Sequence, residues 1–256
     1  MLKIELNKEK VSESIITTDI EYLKSPDFLC VVGSILYGTN NDDSDIDIRG
    51  FNFMPKEYLL GIKKFEQHQN LTGKDDTIVW SADKFVRMLV NGSTIAFEML
   101  FCPDNMIIRR SELASVLLGN KDLFISEKII KSILGYSKHE WRKTLGKVTR
   151  DLGEKRKKHI EEKGYSYKNS YHALRILQTG IELGTIGKIK FPVTNCEFLS
   201  LLKCGKVDFT PVETMYNDGV TQLEQILNDK FKNKKQDVDR INDLLCMLNY
   251  KNITGD

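Results

Sequence analysis

The chain has 256 residues, 29% of them charged and 41% hydrophobic, which is typical of a globular protein with a substantial core. Its formal net charge is only +2, so any binding of nucleic acid would depend on a local basic patch. The five cysteines are scattered and form no Cys-x-x-Cys pair, which argues against a disulfide framework and predicts reduced thiols.

The N-terminal segment and the later apolar runs argue against export and membrane insertion. Residues 1–8 carry charged side chains where a signal peptide needs an uninterrupted apolar stretch. No apolar run approaches the length that spans a bilayer. The sequence therefore predicts a cytoplasmic protein without a membrane partner, and it leaves the oligomeric state open.

The first predicted element is a strand over Phe28–Val32, an apolar run rich in aromatic and β-branched residues. Gly33 and Ser34 follow it directly, and we expect them to begin a short helix that presents N–H groups and a hydroxyl to a phosphate. Tyr37 lies on this helix. It is a candidate for stacking on a nucleotide base, and packing in the core explains it equally well.

A second strand is predicted around the acidic run that follows, over Ile46–Phe53. Side chains alternate between the two faces of a strand, so Asp45 and Asp47 project together while Ile48 points into a core. Two carboxylates this close repel each other unless a cation lies between them. Mg²⁺ (or Mn²⁺) bound to substrate phosphates is the natural occupant.

Two other phosphate or metal motifs fail at required positions. An EF-hand loop needs glycine and glutamate where this chain has Ile48 and Met54, so calcium sensing is disfavoured. A P-loop needs lysine and a hydroxyl residue where Thr39 and Asn40 stand, which excludes an ATPase of that kind.

Further strands are predicted over Lys63–Glu66 and Thr77–Trp80. Asp76 opens the second of them and is our choice for the third carboxylate that two-metal phosphoryl transfer uses. Its neighbour Asp75 is the competitor, and a turn acid without catalytic function is the alternative. Arg49 follows the acidic run and is predicted either to reach a phosphate or to balance nearby acids.

Helical patterns follow the strands. Ser81 is predicted to cap a helix through Phe85 and Leu89, and a second helix carries Phe97 and Leu100. Beyond about Ser111 the periodicity is helical throughout. These patterns predict an α+β protein, with a small mixed-sheet catalytic domain over residues 1–110. A helical domain over residues 111–256 is expected to complete the substrate groove.

Two features of the helical part are candidate binding residues. His172 and Arg175 are three residues apart and therefore share a helix face, from which Arg175 can meet a triphosphate. The basic region from Arg142 to Lys158 is a solvated helix or an RNA contact. Trp141, Tyr165 and Tyr167 lie near this region and are candidate base-stacking groups.

The run Val32-Gly33-Ser34 followed by Asp45-Ile46-Asp47-Ile48 resembles the signature of the nucleotidyltransferase superfamily that includes DNA polymerase beta. The likeness is narrower to bacterial and phage predicted nucleotidyltransferases related to RNA-ligase-associated polymerase-beta-like proteins. It rests on Gly33–Gly38 and Ser44–Phe51, with later similar segments at Pro55–Tyr58, Asp76–Ser81, Lys84-Phe85, Glu98–Phe101 and His172–Arg175. The resemblance implies a polymerase beta-like fold, an acidic residue at Asp76 and a substrate role for His172 and Arg175.

Together these features predict a metal-dependent nucleotidyltransferase. It would transfer a nucleoside monophosphate from an NTP to a hydroxyl of an RNA end, a small molecule or a protein, with release of pyrophosphate. Asp45, Asp47 and Asp76 are the predicted catalytic and metal-binding acids. The alternatives are a non-catalytic nucleotide- or RNA-binding regulatory module, and RNA recognition through the basic helix alone. The predicted nucleotide-binding residues are Gly33, Ser34, Tyr37, Arg49, His172 and Arg175.

Overall fold

The computed structural model describes residues 23–42, 44–72, 75–148 and 153–255, so the prediction for residues 1–8 lies outside them. Contacts divide the described chain into two compact units. The first runs from residue 23 to Leu36, over Asn41–Phe124, and again from Gln236 to residue 255. The second comprises Tyr37–Asn40 and Ile125–Lys235. The predicted domain division at residue 110 stays a prediction.

Five strands of the first unit form one mixed sheet in the described part of the chain. Its order is β3-β4-β2-β1-β5. Strands β2 and β4 run parallel, and the other neighbouring pairs are antiparallel. With the helical C-terminal region, this mixed sheet confirms the predicted α+β class. The strands are β1 (Phe28–Val32), β2 (Asp47–Asn52), β3 (Gln67–Thr72), β4 (Asp75–Ser81) and β5 (Ile107–Arg110).

Helices occupy most of the remaining described chain, and the periodic segments of the sequence all fall within them. They are α1 (Gly33–Tyr37), α2 (Lys56–Leu59), α3 (Ala82–Val90), α4 (Thr94–Leu100), α5 (Glu112–Gly119), α6 (Glu127–Thr144), α7 (Glu154–Lys163), α8 (Tyr167–Ile186), α9 (Cys196–Lys203), α10 (Phe209–Ile226) and α11 (Val238–Thr254). None of the helices in the described ranges is long and apolar enough to cross a membrane.

The sheet has an apolar core on each face. On one face Ile48 packs with Leu29, Val31 and Val79, as the alternation along β2 predicts. On the other face the Phe51 ring stacks on Phe85 at a centroid distance of 4.5 Å and on Phe28 at 5.3 Å. Side chains of β2 are therefore packed on both faces of the sheet, within a few residues of Asp47.

The C-terminal helix α11 belongs to the first unit and contacts α3 and α5. The Asn249 side chain donates to Asp83 Oδ1 at 3.1 Å, and the Asn252 side chain donates to the Met54 carbonyl at 2.9 Å. The helical periodicity predicts that α11 has an apolar face, but it does not predict that this face packs against the first unit.

The helical unit has a separate aromatic core on α6, α8 and α10. Trp141 is buried and stacks on Tyr216 at a centroid distance of 4.0 Å. Tyr165 is also buried, and its hydroxyl donates to the Val207 carbonyl. The prediction that Trp141 and Tyr165 stack on nucleic acid bases is therefore wrong, because their rings already pack inside the protein. Tyr167 pairs with His159 through its hydroxyl.

The strand predicted over Lys63–Glu66 is also wrong, because the chain pairs four residues later. Strand β3 covers Gln67–Thr72 and pairs antiparallel with β4. Its sequence is mostly polar, so no apolar pattern marks it. Main-chain hydrogen bonds to β4 hold β3 in the sheet, and sequence periodicity does not predict such bonds.

Ser81 caps α3 as predicted, and its hydroxyl accepts from the Lys84 N–H at 3.1 Å. We expect Ser81→Ala to lower the free energy of unfolding by about 1 kcal/mol, because that N–H loses its acceptor. Ser93→Ala is the matched control, since Ser93 precedes α4 without capping it through its side chain. Urea unfolding of both variants measures the effect, and equal losses would contradict the capping role.

Candidate active site

The predicted acids form a row at one end of two neighbouring strands, β2 and β4, next to the end of β1. Val32, the last residue of β1, is the cross-strand partner of Asp47, the first residue of β2. Asp47 in turn pairs with Asp76 near the start of β4. Neighbouring strands are about 4.8 Å apart, so this register places Asp47 and Asp76 side by side.

Gly33 forms the bend that follows Val32, with a φ of +70° that L side chains rarely adopt. A Cβ atom at this position would overlap the Asp47 carboxylate, lying 3.1 Å from its Cγ. Glycine is therefore needed at this position for two reasons: the positive φ angle and the close approach of the Asp47 carboxylate. Ser34 follows at the start of α1 and is half-buried.

Asp45 and Asp47 are suited to hold one divalent ion. Asp45 is exposed, and 36% of the Asp47 side chain is exposed to solvent. Both supply the hard carboxylate oxygens that divalent ions such as Mg²⁺ prefer. Within the described ranges, no three histidine, cysteine, aspartate or glutamate side chains are grouped closely enough to bind one metal. Substrate phosphates would therefore have to complete the ligand set.

Asp76 is bound to a resident cation. Arg49 Nη2 donates to Asp76 Oδ2 at 2.7 Å, and Nη1 donates to the Asp76 carbonyl at 2.6 Å. The same guanidinium lies 3.8 Å from Asp47 Oδ1. The structure therefore shows that Arg49 balances nearby acids, and the prediction that Arg49 also reaches a phosphate stays a prediction.

Gln69 is a site residue that the sequence analysis missed. Its side-chain amide on β3 donates to Asp76 Oδ1 at 3.0 Å, so both carboxylate oxygens of Asp76 accept hydrogen bonds. A single Gln in a polar run carries no signal of such a role, and only the β3–β4 pairing brings it to Asp76. The side chain of the competitor Asp75 lies outside the described residues.

Cys30 is on β1, where it is the cross-strand partner of Arg49 on β2, and it is fully buried. Burial raises the pKa of its thiol well above the usual value, and hydrogen bonding to Cys102 raises it further. Arg49 opposes this shift and Glu98 adds to it. The thiol therefore stays protonated at neutral pH, and a protonated thiol is a poor nucleophile and metal ligand.

Tyr37 and Arg175 meet within the second unit. The Arg175 guanidinium lies 3.8 Å from the centre of the Tyr37 ring, and Arg175 is buried. Phe191 packs against the same tyrosine, at a centroid distance of 6.3 Å. The Tyr37 ring thus has packing partners on the protein itself. The assignments of Tyr37, His172 and Arg175 to nucleotide binding stay predictions.

His172 is uncharged in the folded protein. Burial is the main cause that lowers its pKa from 6.5 to about 3. Four nearby cations lower this pKa further, namely Arg175, Lys168, Arg156 and Lys203. A neutral imidazole offers a phosphate a hydrogen bond rather than a positive charge.

This pKa makes stability depend on pH. As pH falls from 7 to 5, His172 gains a proton in the unfolded chain while it stays neutral in the folded protein, so stability is lost. We expect His172→Gln to reduce the stability lost between pH 7 and pH 5 by about 1 to 2 kcal/mol. Urea unfolding at both pH values measures this. The exposed His139→Gln is the control, and identical pH profiles for all three proteins would refute the prediction.

The basic region is largely exposed where it is described. Arg142, Lys147, Lys157 and Lys158 are exposed. Lys143 instead forms an ion pair with the buried Glu140 at 3.0 Å. Residues 149–152 and the side chain of Lys155 lie outside the described part of the chain. RNA contact through this region stays a prediction.

Comparisons with known proteins show which family this chain resembles. A family model described as the RNA repair pathway DNA polymerase beta family matches residues 27–246. A protein of Enterobacteria phage T4, "Uncharacterized 38.9 kDa protein in nrdC-mobD intergenic region", is 29% identical over 116 residues, which cover 41% of this chain. The match spans only 34% of the length of the phage protein.

Among solved structures, a nucleotidyltransferase-like protein from Exiguobacterium sibiricum 255-15 is similar to this chain, with 12% sequence identity. The match covers 86% of this chain and 75% of that chain, with a TM-score of 0.29. A TM-score this low carries no argument about fold or function. The family match covers the site described above, from β1 through the acids to the helical region.

Proposed function

The chain belongs to the RNA repair pathway DNA polymerase beta family, and we propose that it is a metal-dependent nucleotidyltransferase. It would transfer a nucleoside monophosphate from an NTP to a hydroxyl acceptor. The observation that carries this proposal is the row of Asp47 and Asp76 on parallel strands beside the Gly33 bend, with Asp45 two residues before Asp47.

In the proposed reaction, the acceptor hydroxyl releases its proton to solvent and its oxygen forms a bond to the α-phosphorus. The bond from the α-phosphorus to the bridging oxygen breaks, and pyrophosphate leaves with that oxygen. A bound Mg²⁺ or Mn²⁺ ion would supply positive charge to the triphosphate. Asp45 and Asp47 would hold that ion, and the Ser34 hydroxyl would donate to a terminal phosphate. The protein acts mainly by positioning and by charge neutralisation.

Asp76 is proposed to orient the acceptor hydroxyl for in-line attack. Its carboxylate accepts from Arg49 and Gln69, which fixes its direction. Each carboxylate oxygen retains a further lone pair, so an incoming hydroxyl can still donate to Asp76. The predicted role of Asp76 as a metal ligand stays a prediction.

Three acceptor classes are compatible with this chemistry: an RNA end, a small molecule and a protein side chain. The description of the family as part of RNA repair supports an RNA end. The exposed Arg142, Lys147, Lys157 and Lys158 are the side chains through which we propose that RNA binds.

The test is release of pyrophosphate from each of the four NTPs with Mg²⁺ or Mn²⁺, with and without an RNA oligonucleotide that carries a free 3′-hydroxyl. We expect release that requires the divalent ion and an acceptor. The double variant Asp45→Ala/Asp47→Ala should abolish it, and undiminished release from that variant would refute the proposal.

A second candidate is a nucleotide-binding regulatory module without turnover. The observation that favours it is the pairing of Asp76 with Arg49 and Gln69, which occupies an acid that an active site would use. This candidate predicts saturable NTP binding with no release of pyrophosphate for any acceptor. The same assay, combined with equilibrium binding of a labelled NTP, therefore distinguishes the two functions.

A further inference from the structure

Arg49 is built into the acidic row as a fixed cation. Its Nη1 donates to two main-chain carbonyls, those of Ile48 at 2.8 Å and Asp76 at 2.6 Å. Its Nη2 donates to Asp76 Oδ2 at 2.7 Å. Only 13% of the side chain is exposed. A guanidinium with three directed hydrogen bonds is anchored in place rather than loosely associated with a carboxylate.

The position of Arg49 matters as much as its anchoring. The guanidinium bridges the two acids of the row, at 2.7 Å from Asp76 and 3.8 Å from Asp47. A second divalent ion shared by these acids would need the same oxygens and would meet a like charge at close range. Gln69 donates to the remaining Asp76 oxygen at 3.0 Å, so both carboxylate oxygens already accept a hydrogen bond.

Asp45 and Asp47 are more accessible than Asp76. Asp45 is exposed, and 36% of the Asp47 side chain is exposed, compared with 25% of the Asp76 side chain. A divalent ion therefore reaches these two acids more easily than it reaches Asp76. The row thus has one place suited to an ion and a second place already filled by a guanidinium.

We propose that Arg49 takes the place of a second divalent ion beside Asp76, so that the site binds a single ion, at Asp45 and Asp47. This inference rests on the proposed function, because it assumes that the site binds an NTP with a divalent ion. Arg49 supplies a permanent positive charge next to the reacting phosphate, and it positions Asp76 without a requirement for metal.

The experiment counts Mn²⁺ ions bound to the full chain with a saturating non-hydrolysable ATP analogue, by electron paramagnetic resonance of the free ion. The wild type is expected to bind a single ion per complex. Arg49→Gln should bind a second ion, because Asp76 then lacks its cation, and Arg49→Lys should return the count to one. Arg110→Gln is the matched control, since it removes the exposed ion pair between Arg110 on β5 and Asp104.

The turnover of these variants provides a second measurement. We expect Arg49→Gln to lower kcat by about 10²-fold, as expected when a charge that stabilises the transition state is lost. Arg49→Lys should recover part of this loss, and Arg110→Gln should equal the wild type. Full activity of Arg49→Gln with a single ion bound would refute a role for the guanidinium.

The outcomes separate this inference from the proposed function. Two ions in the wild type, one of them lost in Asp76→Ala, would overturn the role of Arg49 and leave the nucleotidyltransferase proposal intact. The absence of any ion that depends on Asp45 and Asp47 would overturn both. The wild-type count needs no variant, so the inference remains testable even if Arg49→Gln fails to fold.

Discussion

Asp47→Asn is expected to lower the rate of pyrophosphate release by about 10³-fold, equivalent to about 4 kcal/mol of lost transition-state stabilisation. Asp47 stands at the centre of the acidic row. It pairs with Asp76 across β2 and β4, lies 3.8 Å from the Arg49 guanidinium and faces the Gly33 bend. An amide removes the negative charge that holds the divalent ion and leaves the shape of the side chain nearly unchanged.

The substitution should not unfold the protein. The Asp47 side chain is partly exposed, and an amide in its place reduces repulsion from the nearby Asp45 and Asp76. We therefore expect the free energy of unfolding to stay equal to that of the wild type or to rise slightly. Asp104→Asn is the control, because Asp104 is an exposed acid that pairs with Arg110. Turnover of Asp47→Asn within tenfold of the wild type would contradict the assignment.

Gly33→Ala is expected to lower activity by about 10²-fold or more, because misplacement of a reacting group by about 1 Å has an effect of that size. The new Cβ would overlap the Asp47 carboxylate. That carboxylate is the mobile end of a side chain, so it can turn away and relieve the overlap. The clash therefore displaces a catalytic group more than it destabilises the fold.

Gly187→Ala is the matched control for this substitution. Gly187 has a φ of +68°, close to the +70° of Gly33, but a Cβ there meets no atom within 4 Å. Both variants carry the same unfavourable left-handed backbone, which destabilises by about 1 to 2 kcal/mol. Denaturant unfolding should thus show similar losses for the two, while only Gly33→Ala loses activity. Equal activity of the two variants would show that the close approach to Asp47 is unimportant.

The predictions that held best rest on residues close together in the sequence. Phe28–Val32 forms β1 as predicted, Ser81 caps α3, and the alternation of Ile48 with Asp47 in β2 follows from the period of a strand. Each of these depends on a few consecutive residues. Local conformational preference and burial therefore suffice to predict them.

The predictions that failed depend on a partner elsewhere in the chain. The polar strand β3 is ordered by its pairing with β4, and no apolar pattern marks it. Trp141 and Tyr165 lie near a basic segment in sequence, yet their rings pack against Tyr216 and Phe209. An aromatic residue has the same sequence signature in a core and at a binding surface, so its neighbours decide its role.

The sequence by itself determined that Asp47 points away from the core that Ile48 enters, next to a glycine bend, because a strand has a period of two residues. Only the tertiary structure decided which groups meet the acids. Arg49 and Asp76 are 27 residues apart, and the parallel register of β2 with β4 makes them partners. A shift of that register by one residue would turn Asp76 to the opposite face of the sheet, and nothing in the local sequence specifies the register.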